Sequence, residues 1–407
     1  MYTGFWYNNF MEKPEILSPV GHFEGLMSAI KAGAEAVYMG FDKLNQRAGK
    51  GGFSKEDIKQ IRLITKDHNL KQYITLNSIV FDEDIGYLEE ILDFLADIKV
   101  DAIIGWDFSV ILGSIKRGIE THVSTMASVS NTLSARFYKD LGVKRIVPAK
   151  ELDLDSVKSL KLNSGLEVEV FVHGSMCMAV SGRCFLSHEL VQKSGNRGEC
   201  NQICRHEFDV KVISKNSGEE YYLGSDYVMS AKDLMTINFV DKLLWADAWK
   251  IEGRNKNPDY VYMTTKAYKQ ARDRILNGEW NATSYQDLVD MLERVYHRQW
   301  DGGFYFKEAS FGVNASIAKE EKIYVGDIIK FYPKASVAEL KIIAHPLKIG
   351  DTIHIIGKAT GLVRQKVESM EIDNQKITKA HQGVVIGLKV QEKVREKDKV
   401  YLIREKS

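Results

Sequence analysis

The 407-residue sequence predicts an α/β protein in which a (β/α)8 TIM-like barrel with a Cys-rich insertion is followed by a small C-terminal all-β barrel. Three observations favour this fold class. Short apolar runs alternate with amphipathic stretches through the first 260 residues, all four cysteines lie close together, and apolar residues recur at every second position from about residue 320. We divide the chain into a barrel at 11–260 with the cysteine cluster at 174–206, a helical linker region at 261–318 and a C-terminal β-barrel at 319–407.

The first part of the chain has the alternation of strands and helices that is typical of βαβ units in a parallel sheet. The predicted strands are 15–19, 36–40, 73–77, 102–107, 122–125, 145–148, 167–174 and 249–254, and the clearest predicted helices are 23–33, 55–68 and 83–98. Six or seven such units are too many for a small doubly wound domain. We therefore expect an eight-stranded barrel with 249–254 as its last strand.

In a barrel of this kind the functional site forms where the strands end. The polar residues that follow the predicted strands are Asn77, Asp107, Ser124, Thr125, His173 and Glu252. Any one of them alone is explained as a cap or loop residue. Because the carboxyl ends of all eight strands meet at one rim, we expect these side chains to converge there.

The four cysteines form a single cluster with the spacing C-x6-C-x15-C-x3-C. They are Cys177, Cys184, Cys200 and Cys204. Four thiolates can hold a zinc ion or an iron–sulfur cluster. The wide, irregular spacing favours a 4Fe-4S cluster, while zinc and unligated thiols stay open as alternatives. Since Cys177 follows the seventh predicted strand by three residues, we expect the metal centre to lie over the barrel mouth.

The remaining segments have simpler patterns. We predict two helices packed against the outside of the barrel at 259–300, a loop at 301–310, and strands within 324–331, 338–344, 351–357, 383–390 and 399–403. The sequence contains no P-loop, zincin, G-x-S-x-G or G-x-G-x-x-G motif. It also contains no signal peptide or membrane-spanning run that we recognise, so we expect a cytoplasmic protein without membrane contact.

The charge of the chain is unevenly distributed. Residues 319–407 hold 18 Lys/Arg against 12 Asp/Glu, whereas the whole chain has a formal net charge of only +1. A basic C-terminal domain indicates nucleic-acid contact, although scatter in a Lys-rich domain explains the same balance.

The segment from Glu169 to Ser187 resembles peptidase family U32, the collagenase-like peptidases, position by position. The matching pattern is Glu169-x-Phe171-x-x-Gly174-Ser175-Met176-Cys177-x4-Gly182-x-Cys184-x-Leu186-Ser187. Further similar blocks are 18–21, 123–131, 196–205, 230–234 and 250–254. The resemblance extends over essentially the whole chain, including the terminal barrel.

The resemblance implies one of two activities. The family name implies a protease, but no convincing nucleophile–base pair accompanies Ser175. Several members are instead oxygen-independent hydroxylases that carry a 4Fe-4S cluster on these four cysteines and act on tRNA uridine, ribosomal RNA cytidine or ubiquinone precursors. The RNA-acting branch is linked to prephenate as hydroxyl source. The cysteine spacing and the terminal barrel make this chain most similar to the tRNA branch, which forms 5-hydroxyuridine at the wobble position.

We therefore expect an RNA hydroxylase with tRNA, or alternatively rRNA, as its partner, and a paralogous family chain as a further possible partner. His173 and Glu252 are the candidates for proton transfer. The candidates for substrate or anion binding are Asn77, Asp107, Arg197, Lys250 and Arg254. Lys150 stands where the family pattern has an Arg-Glu pair, and a lysine lacks the bidentate fork of arginine. The alternatives are a U32-type peptidase, a hydroxylase of a small molecule, and a non-enzymatic assembly factor with a zinc site.

Overall fold

The computed structural model describes residues 13–48, 51–281, 283–306 and 317–406. The N-terminal residues 1–12, on which the prediction of no signal peptide rests, lie outside the described residues. So do residues 307–310 of the predicted loop. Among the described residues, no helix combines the length and the apolar character needed to cross a membrane.

The first 306 residues contain strands β1–β12 and helices α1–α9. The strands are β1 (Glu15–Pro19), β2 (Ala36–Gly40), β3 (Lys71–Leu76), β4 (Ala102–Gly105), β5 (Thr121–Val123), β6 (Arg145–Ile146), β7 (Glu167–Ser175), β8 (Val210–Ile213), β9 (Glu220–Gly224), β10 (Asp233–Met235), β11 (Ala248–Ile251) and β12 (Trp300–Asp301). The helices are α1 (Phe23–Ala32), α2 (Lys55–Asp67), α3 (Ile85–Asp97), α4 (Phe108–Lys116), α5 (Thr132–Asp140), α6 (Leu154–Ser164), α7 (Leu186–Val191), α8 (Pro258–Leu276) and α9 (Gln286–Glu293).

Eight parallel strands close into a barrel, which confirms the predicted fold class. The strand order is β11-β1-β2-β3-β4-β5-β6-β7, and β7 pairs in parallel with β11 to complete the circle. Helices α1–α6 follow the first six strands and cover the outside with apolar side chains. The predicted strand 102–107 ends at Gly105, because Asp107 caps helix α4 by accepting a hydrogen bond from Ser109 N.

The Cys-rich insertion occupies residues 176–247, between β7 and β11. It begins with the four cysteines and α7, continues into an antiparallel hairpin of β8 and β9, and returns through β10, which pairs antiparallel with β7. The insertion is therefore attached to the barrel strand from which it starts, and it covers the end of the barrel where the strands terminate.

Helices α8 and α9 follow the barrel and correspond to the two helices predicted in 259–300. Helix α8 packs against α1 and β1 on the outside of the barrel and buries an apolar face that includes Tyr260, Val261, Ala267 and Tyr268. A short parallel pairing of β12 with β10 follows. Residues 303–306 form a single 3-10 turn within the predicted loop.

The C-terminal part is an antiparallel β-structure around its own apolar core. Its strands are β13 (Glu320–Tyr332), β14 (Val337–Ile342), β15 (Leu347–Lys348), β16 (Thr352–Gly357), β17 (Gly361–Lys366), β18 (Met370–Ile372), β19 (Gln375–Ile377), β20 (Lys379–Ala380), β21 (Val385–Lys389) and β22 (Lys399–Glu405). Eight of them pair in the order β17-β16-β22-β13-β14-β21-β18-β19, and β15 pairs with β20. The five predicted strands of this region correspond to β13, β14, β16, β21 and β22.

The C-terminal sheet packs on the barrel through its edge strand β17, which contacts α1 and α8. At Gly361 the sheet backbone approaches helix α1 so closely that an added Cβ would lie 2.9 Å from Met27 Cβ. Two ion pairs flank this contact: Lys31 Nζ lies 2.6 Å from Glu392 Oε2, and Lys322 Nζ lies 3.0 Å from Asp259 Oδ1.

Candidate functional site

A cavity of about 160 Å³ lies at the carboxyl ends of the barrel strands, beneath the Cys-rich insertion. Its walls combine residues that follow the strands with residues of the insertion, and all four cysteines are among them. The barrel contributes Tyr38, Gln46, Arg47, Thr75, Asn77, Ser124, Thr125, Met126, Val147, Lys150, Phe171, Ser175, Lys250, Glu252 and Arg254. The cysteine cluster therefore lies over the barrel mouth, as the sequence predicted.

The four thiols are free and face this one space. Cys177 is exposed, and the other three are partly buried. Burial raises the pKa of the Cys204 thiol, and negative charge on the other three thiols would add to that shift, whereas Arg205 opposes it. Within the described part of the chain, no three His, Cys, Asp or Glu residues lie close enough to hold a single metal ion.

Short polar contacts fix the cysteine loops in place. Asn196 accepts a hydrogen bond from Cys184 N at 2.9 Å through its side chain, and its carbonyl accepts one from Ile79 N at 3.2 Å. The hydroxyl of Ser187 lies 3.9 Å from Cys200 Sγ, where it can donate to a thiolate. Arg205 donates to the carbonyls of Met176 and Ala231 and so ties the loop to the strand that follows it.

The cavity wall carries many more cationic than acidic side chains. The cationic residues are Arg47, Lys150, Arg205, Lys250 and Arg254, whereas Glu252 is the one carboxylate among the described lining residues. Burial lowers the pKa of Lys150 despite the opposing charge of Glu252, and Lys150 Nζ lies 4.3 Å from the centre of the Phe171 ring. An anion in this cavity would meet several positive charges in a partly desolvated setting, where each interaction is stronger than in water.

The Glu252 carboxylate accepts two hydrogen bonds, one on each oxygen, from other residues of the wall. Arg47 Nη2 donates to Glu252 Oε1 at 3.2 Å, and Ser175 N donates to Glu252 Oε2 at 3.2 Å. Burial alone would raise the pKa of the Glu252 carboxyl, but the positive charges of Arg47, Lys256 and Lys150 outweigh it and hold the pKa at about 2. Glu252 is therefore a carboxylate at neutral pH, suited to positioning a cation or accepting a hydrogen bond.

Below the cavity, a chain of charged side chains fills part of the barrel interior. Arg145 lies between Glu15 and Glu169, with Nη1 2.9 Å from Glu15 Oε1 and 3.4 Å from Glu169 Oε2. Lys250 Nζ donates to Glu169 Oε1 at 2.6 Å, and the lysine also lines the cavity floor. Burial lowers the pKa of Lys250, and the charge of Glu169 counteracts that shift. Glu169, which also contacts Arg145, keeps the Lys250 ammonium fixed in position.

Arg254 lies beside Lys250 on the cavity floor. Its Nη1 donates to Thr75 Oγ1 at 2.6 Å and to Asn45 Oδ1 at 3.1 Å. Burial lowers the pKa of Arg254 to about 10, so the guanidinium is still charged at neutral pH. Both partners of Arg254 are neutral, and its charge is therefore available to a ligand.

Three of the residues predicted for the site lie outside the cavity lining. His173 is buried against Tyr260, Tyr268 and Trp300, with Nδ1 3.3 Å from Tyr268 Oη. Burial lowers its pKa to about 3, with His297 and Lys256 adding to the shift. Asp107 caps helix α4.

Arg197 is the third of these residues. Its Nη1 pairs with Asp84 Oδ2 at 2.5 Å, and its guanidinium lies 3.9 Å from the centre of the Phe81 ring. Neither partner lines the cavity, and this arginine connects the insertion to the loop after β3.

The structure brings the other predicted residues together. Asn77, Ser124, Thr125, Lys250, Glu252 and Arg254 all line the cavity with the four cysteines. Asn77 accepts a hydrogen bond from Gln46 N at 3.1 Å and donates to Ser124 Oγ at 3.4 Å.

Two further residues of the cavity, Arg47 and Tyr38, were not predicted from the sequence. Arg47 could have been found by the rule used for Asn77, because it too belongs to a loop that follows a barrel strand. Tyr38 lies inside β2, where no pattern distinguishes it from a core residue.

Comparison with known proteins gives a consistent family assignment. The model of peptidase family U32 matches residues 21–314. The chain is 39% identical over 409 residues to an uncharacterized protease of Methanocaldococcus jannaschii, with 96% of this chain and 98% of the relative covered. It is 38% identical over 404 residues to a collagenase of Porphyromonas gingivalis (95% and 97% covered). It is 29% identical over 397 residues to tRNA hydroxylation protein P1 of Bacillus subtilis (94% and 93% covered).

The family model thus covers well over half of the sequence, and the matched range includes seven of the eight barrel strands, the four cysteines and the cationic cavity. Relatives with protease names and a relative named for tRNA hydroxylation align over nearly the full length. The chain belongs to peptidase family U32.

Proposed function

We propose that this protein is an iron–sulfur-dependent, oxygen-independent RNA hydroxylase that forms 5-hydroxyuridine in tRNA. The observation that carries the proposal is the cavity at the barrel mouth, where four free thiols and a set of cationic side chains face one space. A full-length relative is named for tRNA hydroxylation, which supports RNA as the substrate class.

Cys177, Cys184, Cys200 and Cys204 would hold a 4Fe-4S cluster. The donor set fits this group, because four thiols line one cavity and thiolates are the usual ligands of such clusters. When bound, such a cluster supplies one-electron redox chemistry at the barrel mouth. The Ser187 hydroxyl near Cys200 is positioned to donate to a cluster thiolate, a contact that tunes the electronics of such centres.

The cationic wall would bind a carboxylate-bearing cosubstrate. Arg254 and Lys150 are the cations best placed for this role. Of the other three, Arg47 and Lys250 pair with carboxylates and Arg205 donates to backbone carbonyls. Prephenate, a dicarboxylate, fits the charge of the wall, and we propose it as the cosubstrate. Glu252 would orient Arg47 in the same cavity, and the basic C-terminal part would attract the RNA backbone electrostatically.

Nucleoside mass spectrometry tests the proposal. We expect tRNA from cells that lack the gene to lose a hydroxylated uridine, and wild type to restore it. Cys177→Ala should not restore it, whereas Val180→Ala, a change at an exposed residue of the same loop, should. Anaerobically purified wild type should contain roughly four irons per chain, and the Cys177→Ala variant far fewer. Unchanged tRNA with a changed rRNA nucleoside would move the substrate to rRNA, and unchanged nucleosides in both would refute the proposal.

Peptidase activity is the second candidate, because two full-length relatives carry protease names. The cavity offers it little chemistry: all ten histidines of the chain are described, and none lines the cavity. Ser175 and the cysteines therefore lack an imidazole base there. Hydrolysis of gelatin by the metal-free protein, abolished by Ser175→Ala, would favour the peptidase over the hydroxylase.

A further inference from the structure

An aromatic patch lies on the rim of the cavity, on the side of helices α4 and α5. We define the patch as Trp106, Phe108, Phe137, Tyr138 and Arg183. Phe108 and Phe137 are each about half exposed, at 49% and 54%. The rings of Phe108 and Tyr138 are nearly parallel, with centres 6.3 Å apart, and Phe137 contacts both edge-on. Large aromatic side chains exposed together in this way indicate a binding surface.

The patch is continuous with the cavity. Arg183 lies between Gly182 and Cys184, which both line the cavity, and its guanidinium is 6.0 Å from the centre of the Trp106 ring. The charge of Arg183 also acts on the Tyr138 hydroxyl, whose pKa is raised by burial and lowered by this arginine. The same cysteine loop that lines the cavity therefore reaches over the aromatic side chains outside it.

A groove of about 580 Å³ extends the patch along helix α5. Its walls include Ala127, Ser128, Arg136, Phe137 and Tyr138. The three residues before Ala127 line the cavity, so one turn of backbone has the cavity on one side and the groove on the other. If one unit of a polymeric substrate enters the cavity, the unit next to it in the substrate lies at the groove.

We infer that this patch and groove bind the single-stranded RNA next to the target nucleotide, by stacking a base on Phe137 and neutralising phosphates with Arg136 and Arg183. The inference rests on the proposed function. Single-stranded RNA is recognised by bases stacked on aromatic rings and arginine planes, and every base has such a face. The groove has room for a nucleotide, and the mixture of exposed rings with arginines beside a reaction cavity is the chemistry that this ligand needs.

Binding of the full-length protein to a fluorescein-labelled RNA hairpin with a uridine-containing loop tests the inference. A fully paired RNA of the same composition serves as the comparison. We expect Phe137→Leu to weaken hairpin binding about tenfold, because the leucine keeps apolar bulk but has no ring to stack on. Phe137→Trp should bind as well as wild type or better. Leu63→Ala, a change at a similarly exposed apolar residue on α2, should have no effect.

A salt titration adds an independent readout. If Arg183 contacts a phosphate, Arg183→Gln should reduce the slope of log Kd against log salt concentration by about 0.7, whereas Phe137→Leu should leave the slope unchanged. Because both side chains are exposed, we expect the variants to keep the melting temperature of wild type.

The alternative outcomes separate this inference from the proposed function. If Phe137→Leu binds the hairpin as wild type does, the inference is wrong, while loss of the nucleoside in the gene deletion would still support the hydroxylase. If Phe137→Ala changes the oligomeric mass and leaves RNA binding intact, the patch is a protein interface and the inference is also wrong. Absence of any hairpin binding by wild type overturns it as well.

Discussion

Glu252 directly follows β11, and His173 lies in the neighbouring strand β7, but their side chains face different surroundings. Glu252 faces the cavity and three cations hold it ionised, with a pKa of about 2. His173 faces helix α8, and burial keeps it neutral, with a pKa of about 3. Neither group changes its charge near neutral pH. At neutral pH both groups are in the form that accepts a proton, and Glu252 is the one of the two that lines the cavity.

Glu252→Gln should destabilise the metal-free protein in a pH-dependent way. The pKa of this group is lowered on folding from 4.5 to about 2, so its ionised form stabilises the fold above pH 4.5 and this contribution is lost as the pH falls towards 2. We expect the variant to be less stable than wild type by about 3 kcal/mol at pH 7 and by clearly less at pH 3. Urea unfolding at the two pH values measures the difference.

Glu90→Gln is the matched control, because Glu90 is largely exposed and pairs with Lys55 on the surface. We expect a change within about 0.5 kcal/mol at both pH values. A difference between wild type and Glu252→Gln that stayed constant from pH 7 to pH 3 would contradict the assigned ionisation of Glu252.

Among the elements, the junction of β7 with β11 leaves no room for a side chain at Gly174. Gly174 has φ of +110°, and an added Cβ would lie 2.7 Å from both Cβ and the carbonyl oxygen of Glu252. The residue lies where β7 pairs with β11 on one side and with β10 on the other. The barrel wall, the insertion and Glu252 therefore depend on one position without a side chain.

Gly174→Ala should destabilise the protein by about 3 kcal/mol or more, because backbone strain and a steric clash both act on the barrel wall. Gly218→Ala is the control: it has φ of +73°, but an added Cβ there meets open space. We expect that variant to lose only about 1 kcal/mol. Thermal unfolding of the two variants, measured side by side, checks the comparison, and equal losses would disprove the steric contribution at Gly174.

The same junction explains why His173, a residue that the sequence predicted for the site, does not line the cavity. Strand alternation places Glu169 and Phe171 on the inner face of β7, and it would place His173 there too. The register instead shifts at Lys250 and Ile251, so that Val172 is skipped in the pairing. The Val172 carbonyl accepts from Tyr268 Oη, and His173 turns towards the same tyrosine. Such a bulge depends on tertiary packing, which periodicity does not encode.

Other features were predictable because they depend on local chemistry alone. The parallel strands follow from apolar runs, and the cysteine loop follows from its composition and position after β7.

The role of Arg197, by contrast, was not predictable. Arg197 was selected by charge, but its partners Asp84 and Phe81 are more than a hundred residues earlier in the chain. Its ion pair therefore became evident only once the fold was known.

At the scale of the whole molecule, the barrel and the C-terminal sheet are joined by the close contact of Gly361 with Met27. Gly361 has φ of +67°, and its backbone lies directly on helix α1. A side chain at this position would have to push the sheet away from the barrel.

Gly361→Ala should therefore weaken the contact between the two parts. We expect calorimetry to resolve two separate unfolding transitions, or a wider one, where wild type has a single narrow transition. Gly383→Ala is the control, since Gly383 also has positive φ, at +92°, but no atom lies within 4 Å of the added Cβ. An unchanged transition in Gly361→Ala would mean that the close approach at Gly361 is not needed to hold the two parts together.

The pairing of β1 with β11 sets the earliest point during synthesis at which the barrel can close. Glu15 pairs with Ala248, so the circle of strands stays open on the ribosome until β11 has emerged. Cys204 is translated about forty residues earlier, which at 5–20 residues per second corresponds to roughly two to nine seconds. During that interval the nascent chain exposes four thiols and two unpaired strand edges, and newly made protein would be most vulnerable to oxidation and aggregation.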